Sequence, residues 1–140
     1  MAVRVRIRVK GRNGKSIVTT VLANGGAESP RPLIVLDPST ASKICFKDDR
    51  DKDYEIVEVA EASRTRNVRI YPQAVILDLL SESEEILSST TADLAIEEDL
   101  IEPLITDVTI DALGIQVISF GKGLWRHIRD PPNTVRLSSQ

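Results

Sequence analysis

The sequence holds one cysteine, Cys45, and one histidine, His127. That scarcity removes a disulfide framework within the chain, a Cys/His zinc cage, a His-rich metal site and a Cys-His nucleophile pair at a sound spacing. No metal and no cofactor is expected. Aromatic residues make up 4% of the 140, too few for base-stacking platforms on single-stranded nucleic acid. No apolar run approaches the roughly 18 residues a membrane helix needs. The N-terminus alternates valine with arginine where a signal peptide would carry an apolar core. The expectation is a soluble, cytoplasmic chain with no membrane partner. An excess of one charge sign is also missing: 18 Lys plus Arg against 21 Asp plus Glu gives −3, which indicates neither a nucleic-acid binder nor an acidic tail. What is present, 41% apolar and 28% charged residues, suits one domain of ordinary size.

Residues 2–10 alternate strictly, with Val3, Val5, Ile7 and Val9 on one side and Arg4, Arg6, Arg8 and Lys10 on the other. Period two predicts a half-buried strand. A Gly-Arg-Asn-Gly turn at 11–14 leads into the β-branched run Ser16–Ala23, so the two runs form a hairpin. Beyond the prolines of ESPRP, Leu33–Leu36 is a short apolar strand. Asp37 followed by Pro38 has the form of an N-cap with proline at the first helical position, opening a short helix through Ile44. Lys47–Asp53 reads as a solvated charged loop. Tyr54–Ala60 and Asn67–Leu77 form a second hairpin with ASRTR at its tip, and Pro72 predicts an edge or bulge in the return strand. Residues 81–92, rich in Ser, Thr and Glu, read as an exposed loop or frayed turn, with a strand at Asp93–Ile96. Asp107–Leu113, ended by Gly114, reads as a helix with a glycine C-cap, and Ile115–Phe120 as a strand. From Trp125 onward no core pattern is evident. Short strands with two small helices indicate an all-β or β-rich fold.

The string TVLANGGA at 20–27 runs an apolar strand directly into Asn-Gly-Gly-Ala. It resembles the active-site turn of the retroviral-type, retropepsin-like aspartic proteases (clan AA), whose predicted archaeal and bacterial branch is the nearest in pattern. There a hydrophobic strand meets Asp-Thr-Gly-Ala or Asp-Ser-Gly-Ala. Gly26 and Ala27 match, Asn24 takes the aspartate position and Gly25 that of the Thr or Ser. A second stretch, Pro103-Leu104-Ile105-Thr106 and then DVTIDALGI, looks like the family's apolar-apolar-Gly strand end, short helix and terminating Leu-Gly, with Thr106 in place of the glycine. Leu33–Ile44 is similar to the family's strand-then-helix segment, and the hairpin at 54–77 occupies the place of the flap. The resemblance covers residues 3–125 and divides the chain into a protease-like domain, 1–125, and a C-terminal tail, 126–140.

The resemblance implies a retropepsin-like barrel with one or two short helices, acting as a homodimer in which each chain supplies one catalytic position. Two close carboxylates share a proton, so one activates water while the other protonates the scissile carbonyl. A carboxamide at Asn24 does neither, and Gly25 lacks the hydroxyl that braces the family's turn. The expected site is thus Asn24, Gly25 and Gly26 at the catalytic position, with Ala27, Ser63 and Arg64 toward cleft and flap. The implied protein is a degenerate peptidase or peptide-binding module, a pseudo-protease with a peptide or protein as its partner. Its alternative is an active endopeptidase, a hydrolase whose carboxylate arises by deamidation of the Asn24-Gly25 pair or comes from elsewhere. Asp37 is better explained as a helix cap, Asp107 as a first-turn residue and Glu28 as a solvated side chain.

Two plainer readings stand beside this one. Asn-Gly is a strong hairpin signal and needs no active site, although AESPRP does not resume the alternation a return strand requires. Arg4, Arg6, Arg8, Lys10, Arg12 and Lys15 could form a phosphate-binding stripe, but charges guarding an edge strand against unwanted pairing explain them better. Nucleic acid is therefore not the expected partner. Trp125 and His127 read as an interface or core anchor and a hydrogen-bonded surface residue, and with Val135 they mark a segment that could cross to a partner subunit.

Overall fold

The computed structural model describes residues 2–46, 54–61 and 64–140. The charged loop expected at Lys47–Asp53 lies outside them, as does Ser63. The described chain is strand-rich with two short helices: β1 (Arg4–Lys10), β2 (Ser16–Ala23), β3 (Leu33–Leu36), α1 (Pro38–Ser42), β4 (Glu55–Glu61), β5 (Arg64–Leu80), β6 (Ile86–Ile96), β7 (Leu104–Ile105), α2 (Asp107–Ala112), β8 (Ile115–Ser119), β9 (Leu124–His127) and β10 (Arg136–Leu137).

The alternation of β1 sets its face. Val3, Val5, Ile7 and Val9 are fully buried, while the arginines between them stay partly exposed. β1 pairs antiparallel with β2 from Arg4 opposite Leu22 to Lys10 opposite Ser16, the expected hairpin. It also pairs antiparallel with β5, Arg6 opposite Leu80 through Lys10 opposite Ile76. The larger sheet runs β1-β2-β7-β3-β6-β5-β4, so the ladder that leaves β1 through β2 returns to it through β5. β1 is therefore not the edge strand its charges suggested. Those charges are met by carboxylates from distant segments instead: Arg4 with Glu102 at 2.8 Å, Arg6 with Glu84 at 2.7 Å, and Lys10 with Asp78 at 3.0 Å. Asp78 is almost wholly buried and also accepts from Ser89 at 2.6 Å. Burial of a carboxylate is tolerable only with such partners. Arg12 lies over the Phe46 ring, 4.2 Å from its centre.

All four residues of β3 are buried, because two apolar clusters enclose it. Ile34 and Leu36 join the main core with Val5, Ile7, Leu77 and Leu94. Leu33 and Val35 join a second cluster with Ala27, Val68, Ile70, Ala95 and Leu104. A strand covered on both faces has no polar side to alternate with. Asp37 caps α1 through Thr40 N at 3.1 Å, with Pro38 at the helix start. Pro72 marks the expected bulge: the β5–β6 register shifts between Tyr71 and Val75, and Gln73 has φ +47°. The buried Asp93 carboxylate accepts the Gln73 N–H at 2.8 Å, so the irregular backbone is not left unpaired. The β4–β5 hairpin is present, Glu55 opposite Ile70 through Glu61 opposite Arg64.

Two other expectations are corrected. The exposed loop at 81–92 shrinks to a turn at Ser81–Glu85, and Ile86–Ile96 is one continuous strand on β5. Its first half carries Ser and Thr because that half is only partly covered, and β-branched threonine suits a half-exposed ladder. The segment from Trp125 is not without core. β8, β9 and β10 form a three-stranded sheet, Trp125 and His127 are buried within this chain, and Ser139 N donates to Arg4 O at 2.8 Å. Asp130 and Arg136 clamp this sheet with a two-pronged ion pair at 2.7 and 2.8 Å.

Candidate functional site

β2 delivers the chain to Asn24 and ends there. Ala27 N donates to Asn24 O at 3.1 Å, closing a tight turn, and Gly26 N donates to the Asn24 carboxamide Oδ1 at 3.1 Å. The side chain therefore acts as part of the turn, in the manner of an Asx turn. Gly25 and Gly26 are exposed and Asn24 is half-buried. A methyl built at Gly25 would meet nothing within 4 Å, whereas at Gly26 it would lie 3.4 Å from Asn24 Oδ1.

The turn is not a hairpin tip. β7 is inserted between β2 and β3, parallel to β2 with Leu22 opposite Leu104, and antiparallel to β3 with Val35 opposite Leu104. The strands before and after Asn-Gly thus never pair with one another. The two stretches singled out in the sequence, about eighty residues apart, meet here: Asn24 N donates to Ile105 O at 3.1 Å and Asp107 N to Ala27 O at 2.9 Å.

Thr106 is fully buried and turned into a chain of hydroxyls. Ser29 Oγ lies 2.6 Å from Thr106 Oγ1, which lies 2.8 Å from Thr109 Oγ1. Thr109 Oγ1 accepts from Leu33 N at 2.7 Å and donates to Leu33 O at 3.0 Å, and Ser29 Oγ donates to Arg31 O at 2.7 Å. With those two protons committed, the single Thr106 proton serves one neighbour at a time. This chain ties α2 to the strand that follows the Asn24 turn. The signal for it in the sequence was three hydroxyl residues in two separate stretches, which carries no hint of proximity.

The remaining expected residues are dispersed. Ala27 has no exposed surface within this chain, and its methyl packs in the second cluster beside Leu33 and Leu104. Arg64 opens β5 opposite Glu61. Glu28 is exposed, and Asp37 is spent on its cap. Asp107 Oδ1 accepts from its neighbour Val108 N at 2.7 Å and from Ser29 N at 3.4 Å, so it holds the loop after the turn. A cavity of about 210 Å³ lined by Arg31, Pro32, Gln73, Thr91 and Asp93 does not include Asn24. Its Arg31 and Asp93 satisfy each other at 2.9 Å, which makes the pair a brace for the bulge.

His127 is the reverse of a surface residue. Its Nδ1 accepts from Arg129 N at 3.1 Å. Burial, followed by the Arg129 charge, holds its pKa below the ordinary 6.5, against the opposing pull of the Leu113 carbonyl and Asp130. Asp130 is held down at about 2, chiefly by its hydrogen bonds with Arg136. Among the described residues no cluster of three or more His, Cys, Asp or Glu could hold a metal, and no helix is long and apolar enough to cross a membrane. No protein-family model matches this chain, and no curated protein matches it significantly.

Proposed function

We propose that this chain is a retropepsin-like protein that acts as a homodimer and, as encoded, binds an extended peptide without hydrolysing it. The observation that carries the reading is the insertion of β7 between β2 and β3, which makes Asn-Gly-Gly-Ala a junction of two motifs and removes the plain hairpin explanation. The return of the ladder to β1 supports a barrel, and the β4–β5 hairpin supports a flap. A groove between two chains under such hairpins accepts peptide backbone by strand addition. With Asn24 from each chain at its floor, the groove has no titrating pair and no general base.

The test is sedimentation at several concentrations on the wild type and on Asn24→Asp, with a peptidase assay across the acid range. Both proteins are expected to dimerise. Asn24→Asp retains the acceptor for Gly26 N and is expected to gain hydrolysis that the wild type lacks, with a bell-shaped pH profile from a shared proton. A strict monomer at every concentration would sink the shared groove and the reading with it. A dimeric, inactive Asn24→Asp would limit the protein to binding.

A further inference from the structure

We propose that Asn24 is a self-modification site, at which the Gly25 backbone nitrogen converts the carboxamide into a carboxylate. The inference deepens the reading above and rests on it for its meaning: the product is the residue type a working dyad requires. The two departures from the family pattern within this turn, Asn for Asp and Gly for Thr or Ser, are together an Asn-Gly pair. Either alone would only remove catalysis.

The chemistry is complete with water as the one co-reactant. The Gly25 nitrogen bonds to Asn24 Cγ, the Cγ–Nδ2 bond breaks, and the Gly25 proton leaves with Nδ2 as ammonia. Water then opens the five-membered imide at one carbonyl. Asparagine plus water becomes aspartate plus ammonia, with no redox change.

Three features of the turn favour this path. Gly25 has no side chain to obstruct its nitrogen and sits in open space. Among the described residues its N–H has no hydrogen-bond partner, so no bond must break before attack. Gly26 N already points at Asn24 Oδ1 at 3.1 Å, where negative charge develops as Cγ becomes tetrahedral. The fold also selects the product. Isoaspartate would add one atom to a main chain held by Asn24 N on Ile105 O, Ala27 N on Asn24 O and Asp107 N on Ala27 O. Opening to ordinary aspartate leaves all three bonds in place.

The chain carries its own control. Asn13-Gly14 is a second Asn-Gly pair, in the β1–β2 turn with both residues at positive φ. Among the described residues no backbone donor engages its carboxamide.

The experiment incubates the full-length wild type and Gly25→Ala at mildly alkaline pH, folded and in denaturant, and follows both peptides by digestion and mass spectrometry. Gly25→Ala adds its methyl to open space at a φ outside the left-handed region, so it keeps the fold. In the folded wild type the Asn24 peptide is expected to gain one mass unit about tenfold faster than the Asn13 peptide, the effect of one hydrogen bond on the oxyanion. The product should be mainly aspartate, Gly25→Ala should stop the gain at Asn24 alone, and denaturant should erase the difference and yield isoaspartate in excess. Asn24 intact after Asn13 has converted would overturn the proposal, and so would isoaspartate as the main folded product. Converted protein that is monomeric and inactive would leave the modification standing and sink the protease-like reading. An unconverted dimer that binds peptide would do the opposite.

Discussion

Thr109→Val is the sharpest test of how the two halves of the site are held together. Valine matches threonine in shape and replaces the hydroxyl with a methyl, so packing around α2 is preserved. What disappears is the acceptor of Leu33 N, a 2.7 Å bond in a fully buried position, together with a donor to Leu33 O and the neighbour of Thr106. Leu33 O retains a weaker bond from Thr106 N at 3.4 Å, so the principal cost is one orphaned buried N–H. Such a group costs about 1–3 kcal/mol, and about 2 kcal/mol is the expected loss. Thr109→Ser keeps the hydroxyl and gives up a buried methyl, a loss of about 1 kcal/mol. Urea unfolding should place valine about 1 M below the wild type in midpoint with an unchanged slope, and serine between them. If packing alone joined α2 to β3, valine would equal or exceed the wild type and serine would be the weaker variant. That order would refute the hydroxyl chain as the link.

Two further predictions concern the C-terminal sheet. Because the folded-state pKa of His127 is lowered, the unfolded chain binds more protons below the ordinary 6.5, so stability is full above that value and falls as pH drops through it toward the folded pKa. Denaturation midpoints from pH 8 to 5 should show the slope and His127→Gln should flatten it; a wild-type midpoint unchanged over that range would refute the assignment. Asp130, held at about 2, contributes stability above its ordinary 3.8 that is lost as pH falls through the folded value. At neutral pH Asp130→Asn should cost roughly 2 kcal/mol, since Arg136 would lose one prong of its partner and the negative charge that strengthens the other. Thermal unfolding measures that loss, and a melting temperature equal to the wild type would sink it.

Much of the local structure was legible because local rules and burial agree. The alternation of β1, the Asp37-Pro38 helix start, the Pro72 bulge and the glycine after α2 each follow from steric or hydrogen-bonding needs within a few residues. The order of the two motifs around Asn24 and Thr106 was also visible as a pattern. The misreadings fall where a distant partner decides. Ser88–Thr91 looked like loop because nothing in its composition names β5 as the strand beside it. The basic residues of β1 looked like edge guards because Asp78, Glu84 and Glu102, which pair with them, lie at least 68 positions farther along the chain. Trp125 reads as an anchor and is buried, but His127 gave no sign of burial, since Arg136 and Asp130, which clamp the sheet, show no periodicity.

The sequence by itself determined that Asn24 is followed by glycine, and hence that its carboxamide has an unhindered neighbouring nitrogen. It also determined the faces of the strands, because side chains alternate every residue whatever the strand pairs with. Only the tertiary structure decided that β7 enters between β2 and β3. Strand pairing is made by backbone groups that every residue carries, so composition leaves it open, and closure over many residues is decided by which burial satisfies the most apolar surface and backbone hydrogen bonds at once. That one insertion turns an Asn-Gly turn into the meeting point of two motifs.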